Sequence, residues 1–115
     1  MRSEGVNEQT IRYWIAVSAF ETAGWTSRVF RDSNNLFNLR VPGSDRLPYG
    51  ENQTIYGNLE DSVTGLFKHV LRPYQYPLQY NSIPELVTAM KQRGYFTSGL
   101  QSYIDGVVSW YSKLN

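Results

Sequence analysis

Apolar residues recur at helical spacing in four parts of the chain, with turn-forming residues between them. The first predicted helix runs from Asn7 to about Thr22 and is closed by Gly24, which suits a left-handed residue after a helix. Its inward-facing positions are Ile11, Trp14, Ile15, Val17, Ser18 and Phe20. Residues 1–6 before it are expected to form a flexible lead.

The next amphipathic segment opens at Asn58, which can cap a helix, and it is stopped by Pro73. The acidic residues of its first turn interact favourably with the partial positive charge at the amino-terminal end of the helix. The apolar stripe that this helix is predicted to bury consists of Leu59, Val63, Leu66, Phe67, Val70 and Leu71.

Two further helices are predicted towards the end of the chain. Ser82 and Glu85 form a capping-box pattern that begins a short helix reaching about Arg93 and closed by Gly94. The last helix starts near Ser98. Its amphipathic stripe consists of Leu100, Tyr103, Ile104, Val107, Val108, Tyr111 and Leu114.

The region between the first and second long helices is rich in turn residues. Residues 26–40 predict a short helical turn followed by an irregular segment around Asn34 and Asn35. Residues 41–57 predict either a loop or a small hairpin, with Arg46–Tyr49 opposite Gln53–Tyr56. We therefore expect one α+β domain over residues 1–115, mostly helical, with a hairpin or loop lobe.

Composition narrows the possible chemistry. Cysteine is absent from the 115 residues, which excludes a disulfide framework, a cysteine nucleophile and a thiolate metal site. A net charge of +1 does not indicate binding to nucleic acid, and no apolar run is long enough to span a membrane. His69 is the single histidine, so neither a metal site nor a cofactor is expected. Aromatic residues make up 15% of the chain, which is compatible with a sugar-binding cleft as well as with an aromatic core.

Glu21 is the carboxylate with the most distinctive surroundings in the sequence. It ends the first apolar run and is expected to lie near Trp14, Phe20 and Trp25. A partly desolvated carboxyl group favours its protonated form, which a general acid needs near neutral pH. The alternative is a solvated residue that simply closes the helix.

The order of residues after Glu21 resembles a known family. Glu21-Thr22-Ala23-Gly24-Trp25, followed by Asn34-Asn35-Leu36-Phe37, is similar to the hallmark of the peptidoglycan glucosaminidases of glycoside hydrolase family 73. Further similarity occurs at Tyr56, at Leu59 to Ser62, at Arg72 to Tyr76 and at Gly94 to Thr97. The resemblance covers roughly residues 10–114. It implies a lysozyme-like bundle of helices with a small lobe flanking a cleft.

The resemblance also implies roles for individual residues. Glu21 would donate a proton to the glycosidic oxygen, and Tyr95 would line the cleft and orient Glu21 or the substrate N-acetyl group. The second catalytic role is open between Glu51, Asp45 and the N-acetyl group itself. The candidate substrate-binding residues are Trp25, Asn35, Phe37 and Tyr56.

Within that last set, Trp25 and Tyr56 are expected to stack on sugars. Asn34 and Asn35 are expected to hold the floor of the cleft more than to touch substrate. Asn38 stands where the family usually has glycine, and asparagine tolerates the positive φ angle that this position would need.

Two functions follow as hypotheses. The first is hydrolysis of the β-1,4 bond after N-acetylglucosamine in peptidoglycan, with a muramidase that cuts the alternate bond as a variant. The second is a non-catalytic module on the same fold that binds cell wall or belongs to a virion. The amino terminus has no signal-peptide pattern. We therefore expect delivery to the bacterial cell wall by a virion, a holin-type lysis system or a longer exported parent chain. The expected partners are glycan strands of peptidoglycan, together with virion proteins or the remainder of a parent chain.

Overall fold

The computed structural model describes residues 5–114, which are mostly helical. The helices in this range are α1 (Glu8–Glu21), α2 (Arg28–Ser33), α3 (Leu59–Leu66), α4 (Ile83–Gln92) and α5 (Leu100–Leu114). A π-helical turn, Phe67–Leu71, continues α3 directly. The chain divides into two compact units. Unit 1 combines the segment up to Phe20 with the segment from Tyr76 onward, and unit 2 is Glu21–Gln75.

In unit 1, aromatic side chains hold α1 against α5. The ring of Phe20 meets the ring of Tyr103 edge-on, with centroids 4.7 Å apart. A Cβ atom placed on Gly106 would lie 2.6 Å from the Cδ1 atom of Phe20, so only glycine permits this approach. In the middle of α1, the ring of Tyr13 lies 5.6 Å from the ring of Tyr111, measured between centroids. The amphipathic pattern predicted for the last helix thus packs as expected at Tyr103.

The predicted inward face of α1 is correct at Trp14 and Val17, which are 1% and 0% exposed. It is wrong at Ile15, which is 42% exposed although it lies next to Trp14 in the sequence. The buried face also includes Thr10, whose hydroxyl accepts a hydrogen bond from the Tyr80 amide at 3.0 Å. Because α1 packs against the segment before α4, the face that it buries differs from the face that hydrophobicity alone predicted.

The start of α1 corrects part of the predicted flexible lead. Val6 is 5% exposed, and the carbonyl oxygen of Gly5 accepts a 2.7 Å hydrogen bond from Gln79. Asn7 caps α1 by accepting from the Thr10 amide at 2.9 Å. Val6 is thus buried and Gly5 is held by a hydrogen bond, while residues 1–4 of that prediction lie outside the described part of the chain.

The predicted ends of α4 are confirmed. The Ser82 hydroxyl accepts from the Glu85 amide at 3.3 Å, and Gly94 adopts φ +75° beyond the last turn. The Glu85 carboxylate accepts from the amide of Asn81 rather than of Ser82, so the capping box is shifted by one residue.

Of the predicted α5 stripe, Val108 and Leu114 are 39% and 41% exposed, and the helix buries Tyr103, Ile104 and Val107.

Unit 2 is organised around buried Asn35. Its amide nitrogen donates to the carbonyl oxygens of Leu39 and Thr54, at 2.9 and 3.0 Å. Its carbonyl oxygen accepts from the amides of Phe37 and Leu39. One side chain therefore replaces the backbone pairing that this irregular segment lacks.

Helix α3 begins as predicted, because the Asn58 side chain accepts from the Asp61 amide at 2.8 Å. Leu59, predicted as part of the buried stripe, is 47% exposed. The interior side of α3 approaches Tyr56 so closely that a Cβ atom on Gly65 would lie 2.9 Å from the Tyr56 Cζ atom.

The segment 41–57 follows the loop alternative of the prediction. Its one β-type pairing among the described residues is an antiparallel bridge between Arg46 and Thr54. A longer hairpin does not form because Thr54 pairs with another segment: its amide donates to the Leu39 carbonyl at 2.9 Å, and its hydroxyl accepts from the Val41 amide. Pro48 also lacks the N–H that a ladder would need.

A charged cluster fastens this loop to α2. The Tyr49 hydroxyl donates to the Asp32 carboxylate, and Arg28 lies 3.5 Å from the same carboxylate. The Arg28 guanidinium is 4.3 Å from the centroid of the Tyr49 ring. The hydrogen bond to Asp32 raises the pKa of Tyr49 above its usual value.

No helix in the range 5–114 has the length and apolar character needed to cross a membrane.

Candidate functional site

Glu21 is the last residue of α1 and is half-buried. The side-chain amide of Asn38 donates to its carboxylate oxygen Oε2 and to its backbone carbonyl oxygen, each at 2.9 Å. Asn38 itself has φ +54°, the left-handed conformation expected at this position. The same amide group thus caps the end of α1 and fixes the orientation of the carboxylate.

Three consecutive residues after Glu21 are left-handed. Ala23, Gly24 and Trp25 have φ angles of +51°, +69° and +63°. We call residues 23–25 the left-handed turn. Only its central residue is glycine, and a left-handed conformation costs about 1–2 kcal/mol for each other residue.

Thr22 holds this turn together. Its backbone carbonyl accepts from the amides of Thr26 and Ser27, both at 3.0 Å, and its hydroxyl accepts from the Trp25 amide at 2.9 Å. The Thr22 side chain is 0% exposed. The left-handed turn begins two residues after Glu21, and strain of this kind persists only where surrounding contacts fix the backbone.

The segment after Asn35 connects two of the candidate carboxylates. Asn38 contacts Glu21, and two residues later the Arg40 guanidinium lies 3.6 Å from the Glu51 carboxylate. Leu39 between them is buried, and its carbonyl and amide groups are held by Asn35. Glu21 and Glu51 are thus both contacted by the segment 38–40.

Glu51 lies at the tip of a tight turn. Gly50 and Asn52 on either side have φ angles of +64° and +57°, and the Glu51 amide donates to the Gln53 side chain at 3.2 Å. Its side chain is 73% exposed. Asp45, the other predicted second carboxylate, is also exposed, and its backbone carbonyl accepts from the Ile55 amide at 2.8 Å.

The predicted substrate-binding residues divide by burial. Trp25 is half-buried within the left-handed turn. Asn35 and Phe37 are 0% and 3% exposed, so in this structure they support the segment below Asn38 instead of lining an open surface. Tyr56 is half-buried with its hydroxyl directed at α3, and burial raises its pKa. That hydroxyl has no hydrogen-bond partner among residues 5–114.

Tyr95 belongs to unit 1. It follows Gly94, and its amide donates to the Met90 carbonyl at 3.0 Å. Its ring is tilted against that of Trp14, with centroids 6.4 Å apart. Its predicted role beside a catalytic carboxylate stays a prediction.

Sequence reasoning missed the contacts made by Asn38 and Arg40. The signal that could have revealed the contact of Asn38 is the asparagine itself, at a position where the resembled family has glycine. The prediction from the sequence took account only of the φ angle that asparagine tolerates and not of the hydrogen bonds of its side chain. Across the described residues, no group of three or more acidic or histidine side chains could hold a metal ion. His69 is exposed on the π-helical turn.

No protein-family model, no curated protein and no solved structure matches this chain. The resemblance to glycoside hydrolase family 73 therefore stays a prediction from the residues quoted above.

Proposed function

We propose that this protein hydrolyses the β-1,4 bond after N-acetylglucosamine in peptidoglycan, on a lysozyme-like fold with Glu21 as the general acid. The observation that carries the proposal is the arrangement at the end of α1. A half-buried carboxylate is held by a side-chain amide, and the strained left-handed turn begins two residues after it. Backbone strain of this kind is concentrated at functional sites.

The proposed chemistry begins with proton transfer from Glu21 to the glycosidic oxygen. The C–O bond to that oxygen breaks, and positive charge develops on the sugar ring. Water then adds to the anomeric carbon, and its proton returns to Glu21. Asn38 acts as a positioning residue, because its amide limits rotation of the carboxylate about its last side-chain bonds. Trp25, which is half-buried in the left-handed turn, offers an aromatic face for a sugar ring.

The exposure of Asp45 and Glu51 decides how we assign the second role. Both are solvated, so their charges are screened and stabilise a developing cation less than a buried carboxylate would. Glu51 is also paired with Arg40. We therefore propose that the substrate's own N-acetyl group stabilises the charge and that Glu51 is the next candidate.

The same observation supports a second candidate function. A chain with one half-buried carboxylate and an exposed, arginine-paired partner is also compatible with a non-catalytic module that binds cell wall. A virion structural role belongs to the same class. The two functions differ in whether soluble fragments are released.

Release of soluble fragments from purified cell walls tests the proposal. Wild type should release them, and Glu21→Gln should not, although glutamine can still accept the hydrogen bond from Asn38. Glu60→Gln in the exposed first turn of α3 is the matched control and should retain activity. Co-sedimentation of both wild type and Glu21→Gln with walls, without any release by wild type, would select the binding module.

A further inference from the structure

Unit 1 carries a surface pocket of about 450 Å³ between α4 and the segment that precedes it. Pro77, Tyr80, Pro84 and Ala89 provide its apolar wall, and Glu85 and Arg93 lie in the same lining. The volume is within the range of about 300–1,000 Å³ that is typical of small-molecule sites. None of these residues belongs to the site at Glu21.

The two charged residues of the pocket have opposite sign and lie at opposite ends of α4. Glu85 is in its first turn and Arg93 is its carboxyl-terminal cap. The two positions are eight helical steps apart, which corresponds to about 12 Å along the axis. A ligand lying along α4 would meet a negative group at one end and a positive group at the other, with an apolar wall between.

Both charged side chains are already held in place. The Glu85 carboxylate accepts from the Asn81 amide at 3.3 Å. The Arg93 guanidinium lies 5.0 Å from the centroid of the Tyr76 ring, and its Nη1 donates to the Ala89 carbonyl at 3.3 Å. Side chains that are ordered before binding lose less conformational entropy when a ligand arrives.

Tyr80 is part of the wall of this pocket. Its side chain is 4% exposed, and its hydroxyl has no hydrogen-bond partner within residues 5–114. A buried hydroxyl without a partner is costly. The hydroxyl oxygen itself is sealed from solvent, so it lies in the interior behind the wall and not on the surface of the pocket.

We propose that this pocket binds a short peptide of three or four residues that has a free amino group and a free carboxylate. The amino group pairs with Glu85, and the carboxylate pairs with Arg93. An extended chain spans at most about 3.3–3.6 Å per residue, so four residues match the separation along α4. The assignment does not depend on the glycosidase activity proposed above.

Titration with tetraalanine, followed by amide NMR signals, tests this assignment. Free tetraalanine should shift signals of α4 and of residues 77–80. Blocking its amino group by acetylation, or its carboxylate by amidation, should each weaken binding about fivefold, as expected for loss of one partly exposed charge pair.

Variants assign each end of the peptide. In Glu85→Gln, acetylation should no longer weaken binding, and in Arg93→Gln, amidation should no longer weaken it. Glu85→Gln keeps an acceptor for Asn81, so the helix cap is preserved. Arg93→Lys keeps the positive charge, so amidation should still weaken binding to it. Binding by this variant would also show that a substitution at position 93 does not simply unfold the protein. Asp105→Asn on α5 is the charge-matched control and should bind as wild type.

Two results would overturn the proposal. One is the absence of shifts at α4 with free tetraalanine up to about 10 mM, ten times a weak dissociation constant. The other is equal binding of the free peptide and of a peptide blocked at both ends. Neither result bears on fragment release from cell walls, so this assignment and the activity assignment fail separately.

Discussion

The side-chain amide of Asn38 donates to both the carboxylate and the backbone carbonyl of Glu21, at 2.9 Å in each case. The two residues are 17 positions apart in the sequence. The contact links the end of α1 to the irregular segment that buried Asn35 organises. Asn38 therefore contributes to local stability and to the orientation of the candidate acid.

Replacing Asn38 separates its backbone role from its side-chain role. Asn38→Gly keeps the left-handed conformation and loses the amide, which should cost about 1–2 kcal/mol of unfolding free energy. Asn38→Ala loses the amide and adds left-handed strain of about 1 kcal/mol. Denaturant unfolding should show wild type as the most stable, with Asn38→Gly at least as stable as Asn38→Ala although glycine adds entropy to the unfolded chain. Clearly greater stability of Asn38→Ala than of Asn38→Gly would contradict the left-handed assignment.

Ala23 offers a direct test of the left-handed turn. It is exposed and has φ +51°, so Ala23→Gly removes strain without removing packing. The relief of about 1 kcal/mol should offset or exceed the added entropy of the unfolded chain. Ser109→Gly, at an exposed position within α5, is the control and should destabilise by about 0.5 kcal/mol. A similar loss at both sites would show that Ala23 is not strained.

Gly106 should not tolerate alanine, although alanine is the better helix former. The added methyl group would overlap the Phe20 ring, at a cost of about 1–3 kcal/mol against a propensity gain of about 1 kcal/mol. Thermal unfolding should show a lower midpoint for Gly106→Ala. In a Phe20→Leu background the same change should cost less, because the ring is gone. Additive effects would contradict the predicted clash.

Ionisation of Tyr80 should lower the free energy of unfolding at alkaline pH. Burial raises the pKa of Tyr80 to about 12, from 10.0 when it is exposed. The folded state therefore keeps the proton over a range where the unfolded state loses it. The resulting stabilisation is complete below about pH 10 and is lost as pH rises towards about 12.

Tyr80→Phe isolates this contribution. Its stability at pH 8 should equal or exceed that of wild type, because it removes a buried hydroxyl without a partner in the described chain. Its advantage should grow when unfolding is measured at pH 10, 11 and 12. Parallel stability curves for the two proteins across that range would show that Tyr80 does not titrate differently on folding.

Local chemistry explains why some features could be predicted from the sequence. The caps at Asn58 and Ser82 and the left-handed residues at Gly24 and Gly94 depend on side chains or backbone freedom within a few positions. The helices containing these features therefore appear close to their predicted bounds.

Tertiary contacts explain what could not be predicted. Ile15 is exposed because α1 turns a different face to its neighbours, with Thr10 buried against the Tyr80 backbone. The hairpin is reduced to one bridge because Thr54 pairs with Leu39. The hydrogen bond from Asn38 to Glu21 joins distant segments, and no local pattern encodes it.

Mass analysis of the reducing ends released from purified peptidoglycan tests the central proposal most directly. We expect wild type to release fragments ending in reducing N-acetylglucosamine, and a folded Glu21→Gln to release none. Fragments ending in reducing N-acetylmuramic acid would instead identify a muramidase. Undiminished release by Glu21→Gln would contradict the assignment of Glu21 as the acid, and absence of release by both proteins would contradict the catalytic proposal itself.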